Sequence, residues 1–273
     1  MPPIRIVFCD MDGTFLASDK SIPLLNAQSL DWLADRGIPF VPCTGRPVSA
    51  VPAEVRGHRA VRYVIAANGA VVEDLHEGKR MLSRGIQKSQ VLDLYDRVST
   101  WPLTFDVFAD GAVYSERQRY DSMGSLGINP ATLAMLRRVR VPVDLTVPQI
   151  VTNATCIEKL TCFFGDMGVR ERLMAAASDV GGFCYASGDP NDVELMAPGV
   201  SKGTALVWLC EHLGIEVSSS VAFGDEQNDV SMMRAAGVGV AMENAQSEVR
   251  DAADRIALSN DEAGVALYLQ SCL

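Results

Sequence analysis

Short apolar runs alternate with helical periodicity along the first 70 residues. The runs IRIVFC (4–9), IPFVPC (38–43) and YVIAA (63–67) are each short enough for a buried parallel strand. Between the first two, apolar residues recur at the spacing of one helix face before a glycine; they are Ala27, Leu30, Leu33 and Ala34, followed by Gly37. This alternation predicts an α/β fold, a doubly wound and mostly parallel sheet.

The pattern changes after about Leu82. Two alternating runs, 103–110 and 112–119, meet at Asp110–Gly111, a dipeptide typical of a two-residue hairpin. Helical patterns, a strand at IEKLTCFFG and a strand pair formed by GFCYAS and DVELMA follow, whereas we expect the polar stretch 120–156 to be irregular. The α/β rhythm returns near residue 202. We therefore predict a core of residues 1–84 and 197–273, with an inserted α+β cap domain at 85–196.

Composition narrows the class of partner and the compartment. The 273 residues include 34 acidic and 24 basic side chains, a formal charge of −10, which argues against nucleic acid as a partner. No apolar run approaches the roughly 20 residues of a membrane span. Asp10 and Asp12 stand where a signal peptide would be apolar. The seven cysteines lack C-x-x-C spacing, which indicates free thiols. We expect a cytoplasmic protein.

Polar residues follow the ends of several predicted strands. They are Asp10, Asp12, Gly13, Thr44, Gly45, Asp225 and Asp229, joined by Lys202 at the start of a later helix. In an open α/β sheet such residues meet in the crevice beyond the carboxyl ends of the strands. Carboxylates gathered there repel one another unless a cation lies among them, and Mg²⁺ fits best because it takes few carboxylates and bridges phosphate oxygens.

A phosphate is the natural ligand for the remaining groups. Gly13 and Gly45 let backbone N–H groups approach an anion, Thr44 offers a hydroxyl and Lys202 a positive charge. Beside such an anion Asp10 can attack phosphorus and form an aspartyl-phosphate. Asp12, two residues further on, can protonate the leaving alcohol and then deprotonate the attacking water.

The same residues carry a family resemblance. Four motifs, D-M-D-G-T at 10–14, T-G-R at 44–46, S-K-G at 201–203 and G-D-x-x-N-D at 224–229, resemble those of the haloacid dehalogenase superfamily. Their order and spacing are similar to Cof-type phosphatases, whose α/β cap is inserted between the second and third motifs. The resemblance implies a Mg²⁺-dependent phosphatase with Asp10 as nucleophile and Asp12 as acid and base.

It also implies the ligand contacts. Thr44, Lys202 and Asn228 would hold phosphate. Mg²⁺ would bind the side chains of Asp10 and Asp225 and the backbone carbonyl of Asp12, with Asp229 as a direct ligand or as a partner of one. The expected substrate is a small soluble phosphomonoester, first of all a sugar phosphate, and the oligomeric state is left open.

Other interpretations compete with this one. A phosphomutase of the same fold would use the same motifs, and a non-catalytic module would bind a phosphorylated ligand without turnover. Gly199–Gly203 matches the G-x-S-x-G elbow of serine hydrolases, but the one later histidine, His212, is about three helical turns away, so we expect Ser201 to be a helix N-cap. Asp229 could likewise be only a cap.

Several further residues receive weaker assignments. Arg46 and Asn68 are candidates for the rim of the site. Polar residues near the end of the cap are candidates for substrate specificity; they are Asp189, Asn191, Asp192 and Glu194. We expect the remaining turn-like aspartates to be solvated; they are Asp19, Asp35, Asp106 and Asp110.

Overall fold

The fold is described for residues 3–187 and 191–273 by a computed structural model and divides into two compact units. The first comprises Met1–Leu82 and Ser201–Leu273, and the second comprises Ser83–Val200. The junctions suggested by the change of pattern along the sequence are 84/85 and 196/197.

The secondary-structure elements of these residues follow in chain order. The strands are β1 Ile6–Asp10, β2 Phe40–Cys43, β3 Tyr63–Ala66, β4 Val71–Asp74, β5 Lys79–Ser83, β6 Asp106–Ala109, β7 Ala112–Glu116, β8 Arg140–Val143, β9 Ile157–Phe163, β10 Cys184–Ala186, β11 Asp192–Met196, β12 Ser220–Gly224, β13 Val238–Met242 and β14 Arg255–Ala257. The α-helices are α1 Leu24–Asp35, α2 Ala53–Arg56, α3 Lys88–Val98, α4 Arg117–Ser122, α5 Pro130–Val139, α6 Val147–Asn153, α7 Met167–Val180, α8 Lys202–Leu213, α9 Val230–Ala235, α10 Ser247–Ala252 and α11 Gly264–Cys272.

The first unit is built on an eight-stranded sheet in the order β14-β13-β12-β1-β2-β3-β4-β5. The pairs from β14 to β3 are parallel, and β4 returns antiparallel to β3. The predicted α/β class is confirmed. The strands β4 and β5, which extend the sheet at one edge, were not predicted from the sequence. Because β1 lies between β12 and β2, the order of strands reverses there, and the loops after these strands open into one crevice.

Alternate residues of β1 supply the two layers of this core. Val7 and Cys9 belong to an apolar cluster that includes residues of α1 and α11. Ile6 and Phe8 belong to a second cluster that includes residues of α8 and α9. A strand buried on both faces is apolar at successive positions, which is why its sequence shows a run and no alternation.

The second unit contains a six-stranded sheet in the order β10-β11-β9-β6-β7-β8. Its pairings are antiparallel except for β7 with β8. The predicted hairpin is confirmed: Ala109 lies opposite Ala112, and Asp110 and Gly111 have φ of 53° and 87°. Two successive positive φ angles are those of the tight turn that suits the twist of paired strands.

The stretch expected to be irregular, 120–156, was predicted wrongly. It contains α5, β8 and α6, and the strand predicted over 112–119 ends at Glu116. Leu136 of α5 packs in a small apolar cluster with Met123, Ile128 and Phe163. Met123 and Ile128 belong to the same stretch, whereas Phe163 ends β9, so the order of the stretch depends in part on a tertiary contact that local polarity conceals.

One of the four aspartates expected to be solvated is buried instead. Asp106 is 1% exposed in β6, where its carboxylate accepts 2.7 Å from Arg140 Nε and also accepts from the Thr104 and Ser115 hydroxyls. Asp19, Asp35 and Asp110 are exposed, as predicted. Asp106 tolerates burial because its charge is paired and its oxygens are hydrogen-bonded.

Two broader expectations concern cysteines and membranes. All seven cysteines are free thiols. Within the described ranges, none of the helices combines the length and apolar character needed to traverse a bilayer.

Candidate active site

Three carboxylates meet at the carboxyl edge of the first unit's sheet. Asp10 ends β1, Asp225 follows β12, and Asp229 closes the short turn after it. Each offers an oxygen within 4.8 Å of the others, and all three residues are at most 7% exposed. The sheet topology thus brings together three of the acidic residues that the strand ends indicated.

Lys202 lies among these carboxylates. It is the first residue of α8, and its Nζ is 2.5 Å from Asp10 Oδ1 and 2.6 Å from Asp229 Oδ1. Burial alone would lower the pKa of Lys202, but the two carboxylates outweigh it and raise the pKa well above its usual range. A cation at a helix N-terminus opposes the helix dipole, and the buried acids compensate for that cost.

The carboxylates themselves are held in an unfavourable environment. Burial, with added repulsion from Asp229, raises the pKa of Asp225 to about 7. Burial likewise raises the pKa of Asp10 well above its usual range, although Lys202 opposes the shift. When ionised, the three carboxylates exceed the charge of the one ammonium, and every ligand atom they offer is an oxygen. This donor set fits a hard divalent cation.

Thr14 ends the D-M-D-G-T motif and contacts the site, although the sequence assigned it no role. Its hydroxyl, completely buried, donates a 2.6 Å hydrogen bond to Asp225 Oδ1. The adjacent Gly13 has φ of 78°, and a Cβ atom there would lie 2.2 Å from Asp225 Oδ2. Gly13 and Thr14, the last two residues of the D-M-D-G-T motif, therefore shape the environment of the Asp225 carboxylate. The signal available in the sequence was a hydroxyl residue directly after the turn glycine and before the apolar pair Phe15 and Leu16.

Asp229 is more than a helix cap. Its Oδ2 accepts from the backbone N–H of Asp225 at 3.0 Å and of Glu226 at 3.2 Å, while its Oδ1 faces Lys202. Its side chain makes no capping bond to α9. The alternative that Asp229 only caps the following helix is wrong, because its oxygens are directed to the loop and to the buried ammonium.

Thr44, Asn68 and Asn228 lie in the loops that follow β2, β3 and β12. Thr44 is buried after β2, with Gly45 next to it, and its carbonyl accepts 3.1 Å from the Asn68 N–H. Asn68 Oδ1 in turn accepts 3.3 Å from Asn228 Nδ2. Within the described part of the chain, Asn228 Oδ1 is buried without a hydrogen-bond partner. Such an atom is costly unless a ligand or water satisfies it.

Asp12 has different surroundings from Asp10. Its Oδ1 lies 2.6 Å from Arg46 Nη2 and 2.9 Å from Lys20 Nζ, and its side chain is 28% exposed. The first motif therefore presents one buried carboxylate beside Lys202 and one accessible carboxylate beside two other cations. That division suits a nucleophile and a proton carrier.

The serine-hydrolase alternative has no geometry behind it. The Ser201 hydroxyl accepts from the Thr204 N–H at the start of α8, so the N-cap prediction is confirmed. His212 stacks on Trp208 with ring centroids 5.1 Å apart. In the portions of the chain described, Ser201 makes no hydrogen bond to a histidine.

The polar candidates of the second unit lie in or near its sheet. Asp192 accepts 2.9 Å from the Ser187 hydroxyl, and Glu194 forms a buried ion pair with Lys159. Asn191 precedes β11, and its carbonyl accepts from Phe164 N–H. Asp189 lies outside the described residues.

Comparisons with known proteins agree with this geometry. A family model described as haloacid dehalogenase-like hydrolase matches residues 7–269. The chain is similar to the phosphatase YwpJ of Bacillus subtilis, with 28% identity covering 99% of this chain and 100% of that protein. It is 26% identical to the 5-amino-6-(5-phospho-D-ribitylamino)uracil phosphatase YwtE of the same organism, covering 99% and 98%. A solved haloacid dehalogenase-like hydrolase from B. subtilis is 27% identical, with a TM-score of 0.83 over 99% of this chain and 100% of that one.

Proposed function

Because this chain belongs to the haloacid dehalogenase-like hydrolases and is a phosphatase of that family, we propose that it is a Mg²⁺-dependent phosphomonoesterase acting through an aspartyl-phosphate. The proposed substrate is a small phosphorylated metabolite, first of all a sugar phosphate. The observation that carries the proposal is the buried group of Asp10, Asp225, Asp229 and Lys202. The ribityl phosphate in the name of YwtE supports a polyol-like leaving group.

The chemistry follows from the two aspartates of the first motif. An oxygen of Asp10 attacks phosphorus, the bond to the ester oxygen breaks, and the phosphoryl group becomes attached to the Asp10 carboxylate. Asp12 gives a proton to the departing alcohol. It then takes a proton from the water that cleaves the aspartyl-phosphate, releasing inorganic phosphate and restoring both side chains.

The chain also supplies donors for the transferred group. Lys202 compensates for the charge near Asp10, and Thr44 and Asn228 offer a hydroxyl and an amide in the adjoining loops. Backbone N–H groups at Gly13 and Gly45 complete the set. Donors fixed before the reaction stabilise developing charge without further reorganisation.

The residues fit a divalent ion. We assign Asp10 and Asp225 as carboxylate ligands, the Asp12 backbone carbonyl as a third, and Asp229 as a ligand or as the partner that orients one. The excess negative charge and the raised pKa of Asp225, about 7, support this assignment. When bound, Mg²⁺ would neutralise charge on the phosphoryl oxygens.

Hydrolysis of p-nitrophenyl phosphate tests the proposal. We expect EDTA to abolish it and Mg²⁺ to restore it, with Ca²⁺ a poor substitute because it is larger and geometrically looser. Full activity in EDTA would end the metal assignment. A screen of sugar phosphates, nucleotides, pyridoxal phosphate and flavin mononucleotide then identifies the substrate class. Stoichiometric release of inorganic phosphate distinguishes a phosphatase from a phosphomutase, and absence of any turnover would favour a binding module.

We further propose that the enzyme acts in the cytoplasm. Its seven free thiols, four of them in fully buried positions, support a reducing compartment.

A further inference from the structure

We propose that Arg46 and Lys20 form a subsite for a second anionic group, a carboxylate or phosphate carried on the leaving alcohol close to the ester oxygen. This inference rests on the proposed function and narrows its substrate class. Hydrolysis of a phosphomonoester whose alcohol carries no charge would not require these two cations.

Two cationic side chains contact the single carboxylate of Asp12. Arg46 Nη2 and Lys20 Nζ lie 2.6 Å and 2.9 Å from the same oxygen, Oδ1. Throughout the described ranges, Asp12 is the only carboxylate within 4.0 Å of either cation. Two cations against one carboxylate leave a local excess of positive charge among these three side chains.

The excess charge is accessible to a small solute. The side chains of Arg46 and Lys20 are 26% and 56% exposed, and that of Asp12 is 28% exposed. Lys202 contrasts with them, since its side chain is 0% exposed and both of its acidic partners are buried. The site thus contains a buried cation, Lys202, beside Asp10 and an accessible pair of cations, Arg46 and Lys20, beside Asp12.

The proposed role of Asp12 as proton donor puts Arg46 and Lys20 near the leaving alcohol. A proton donor must come within about 2.6–3.2 Å of the ester oxygen. Arg46 and Lys20 contact the same Asp12 carboxylate, so they lie about one more hydrogen-bond length from the ester oxygen. A carboxylate or phosphate one or two carbons from the ester oxygen is near enough to reach them.

Arg46 is the better organised of the two cations. Its backbone N–H donates 3.1 Å to Thr44 Oγ1, and its carbonyl accepts 3.0 Å from the Ala67 N–H. Lys20 stands in a tight turn with φ of 70° and a backbone bond to Ala17 O. A planar guanidinium held by its loop can bind a carboxylate through two N–H groups, so we expect Arg46 to contribute more than Lys20.

The test compares two substrates that differ in one charge: phosphoglycolate and its amide, carbamoylmethyl phosphate. The readout is the ratio of their kcat/KM values, in which any general effect on phosphoryl transfer cancels. We expect the wild type to favour the acid. In Arg46→Gln the ratio should fall roughly tenfold, the size of one charge-assisted hydrogen bond, and in Lys20→Gln about threefold. Arg46→Lys keeps the charge but loses the fork of two N–H groups, so its ratio should lie between those of the wild type and Arg46→Gln.

Arg59→Gln is the matched control. Arg59 is also exposed and ion-paired, with Asp31 and Asp35, but it precedes β3 and so lies at the amino end of the strands. Its removal should leave the ratio unchanged, and an equal fall there would overturn the subsite. If p-nitrophenyl phosphate is hydrolysed but the ratio is the same in wild type and Arg46→Gln, the subsite is wrong while the proposed function stands. If no ester is hydrolysed with Mg²⁺, both fail.

Discussion

The Thr14 hydroxyl donates a 2.6 Å hydrogen bond to Asp225 Oδ1 across 211 residues of sequence. It holds in place a carboxylate that burial would otherwise prefer to keep neutral, because the bond opposes the rise in the pKa of Asp225. The bond therefore links the first motif to the last at the point assigned to the metal.

Removing that bond should weaken metal binding. Thr14→Val keeps the side-chain volume and loses the donor, so we expect the Mg²⁺ concentration for half-maximal activity to rise about tenfold or more. Thr14→Ser retains the donor and should stay near the wild type. Titration of p-nitrophenyl phosphatase activity with Mg²⁺ measures the effect. An unchanged Mg²⁺ requirement in a folded Thr14→Val protein would show that the bond is only structural.

Mg²⁺ activation should depend on pH. The pKa of Asp225 is raised to about 7, so below that pH a proton competes with the metal for the carboxylate. We expect the Mg²⁺ requirement to fall as pH rises from 6 to 8, by up to about tenfold per pH unit for one proton. Thr14→Val should displace this dependence to higher pH, and a flat profile would contradict the assignment.

The same raised pKa should appear in the stability of the metal-free protein. Asp225 binds a proton more tightly when folded than when unfolded, so the folded state loses stability as pH rises from about 4 to 7. Mg²⁺ relieves this loss above pH 7 by pairing with the ionised group. Thermal melting with and without Mg²⁺ should therefore show a larger gain in Tm at pH 8 than at pH 6.

Lys202 and Ser201 are neighbours with separable roles. Lys202→Ala removes the cation between Asp10 and Asp229, so kcat/KM should fall by orders of magnitude. The metal-free protein should also lose about 3–5 kcal/mol, because the buried acids are left unpaired. Added Mg²⁺ should restore part of that stability.

Ser201→Ala is the contrasting variant. It loses the bond from the Thr204 N–H and should cost about 1 kcal/mol of stability with little change in turnover. The opposite pattern, with Ser201→Ala inactive and Lys202→Ala active, would restore the serine-hydrolase alternative.

The two aspartates of the first motif should differ in their dependence on the leaving group. Asp10→Asn should be inactive and form no acyl-phosphate. Asp12→Asn keeps the backbone path and loses a proton carrier worth about 10²- to 10⁴-fold. The loss should be larger for a sugar phosphate, whose alkoxide needs protonation, than for an aryl phosphate, whose phenolate does not. Equal losses in single-turnover measurements would mean that Asp12 does not protonate the leaving group.

A buried ion pair in the second unit offers a stability test. Asp106→Ala strands the guanidinium of Arg140, which is 7% exposed, and should destabilise the protein by about 3–5 kcal/mol. Arg59→Gln breaks an exposed ion pair and should cost at most about 1 kcal/mol. Urea unfolding compares the two variants, and similar midpoints would show that Asp106 is not part of the structural core.

Features set by near neighbours in sequence could be predicted without a structure. The run at 4–9 indicated β1 because a strand buried on both faces must be apolar throughout. Asp110–Gly111 indicated the hairpin because tight turns need residues that tolerate positive φ. Ser201 indicated the start of α8 because a cap bonds within its own first turn. The polar residues after successive strands likewise indicated a site, since strand ends in such a sheet share an edge.

Features set by contacts between distant segments required the tertiary structure. The partners of Lys202 come from β1 and from the turn after β12, and that pairing is invisible in the order of residues. The same holds for Thr14 with Asp225 and for Arg46 with Asp12. The stretch 120–156 looked irregular because a polar residue such as Arg140 predicts exposure, and its buried ion pair with Asp106 is visible only in the structure. Local sequence specifies turns, caps and strands that are apolar throughout, whereas the burial, charge state and role of a polar side chain depend on which remote groups the fold brings within a few ångströms of it.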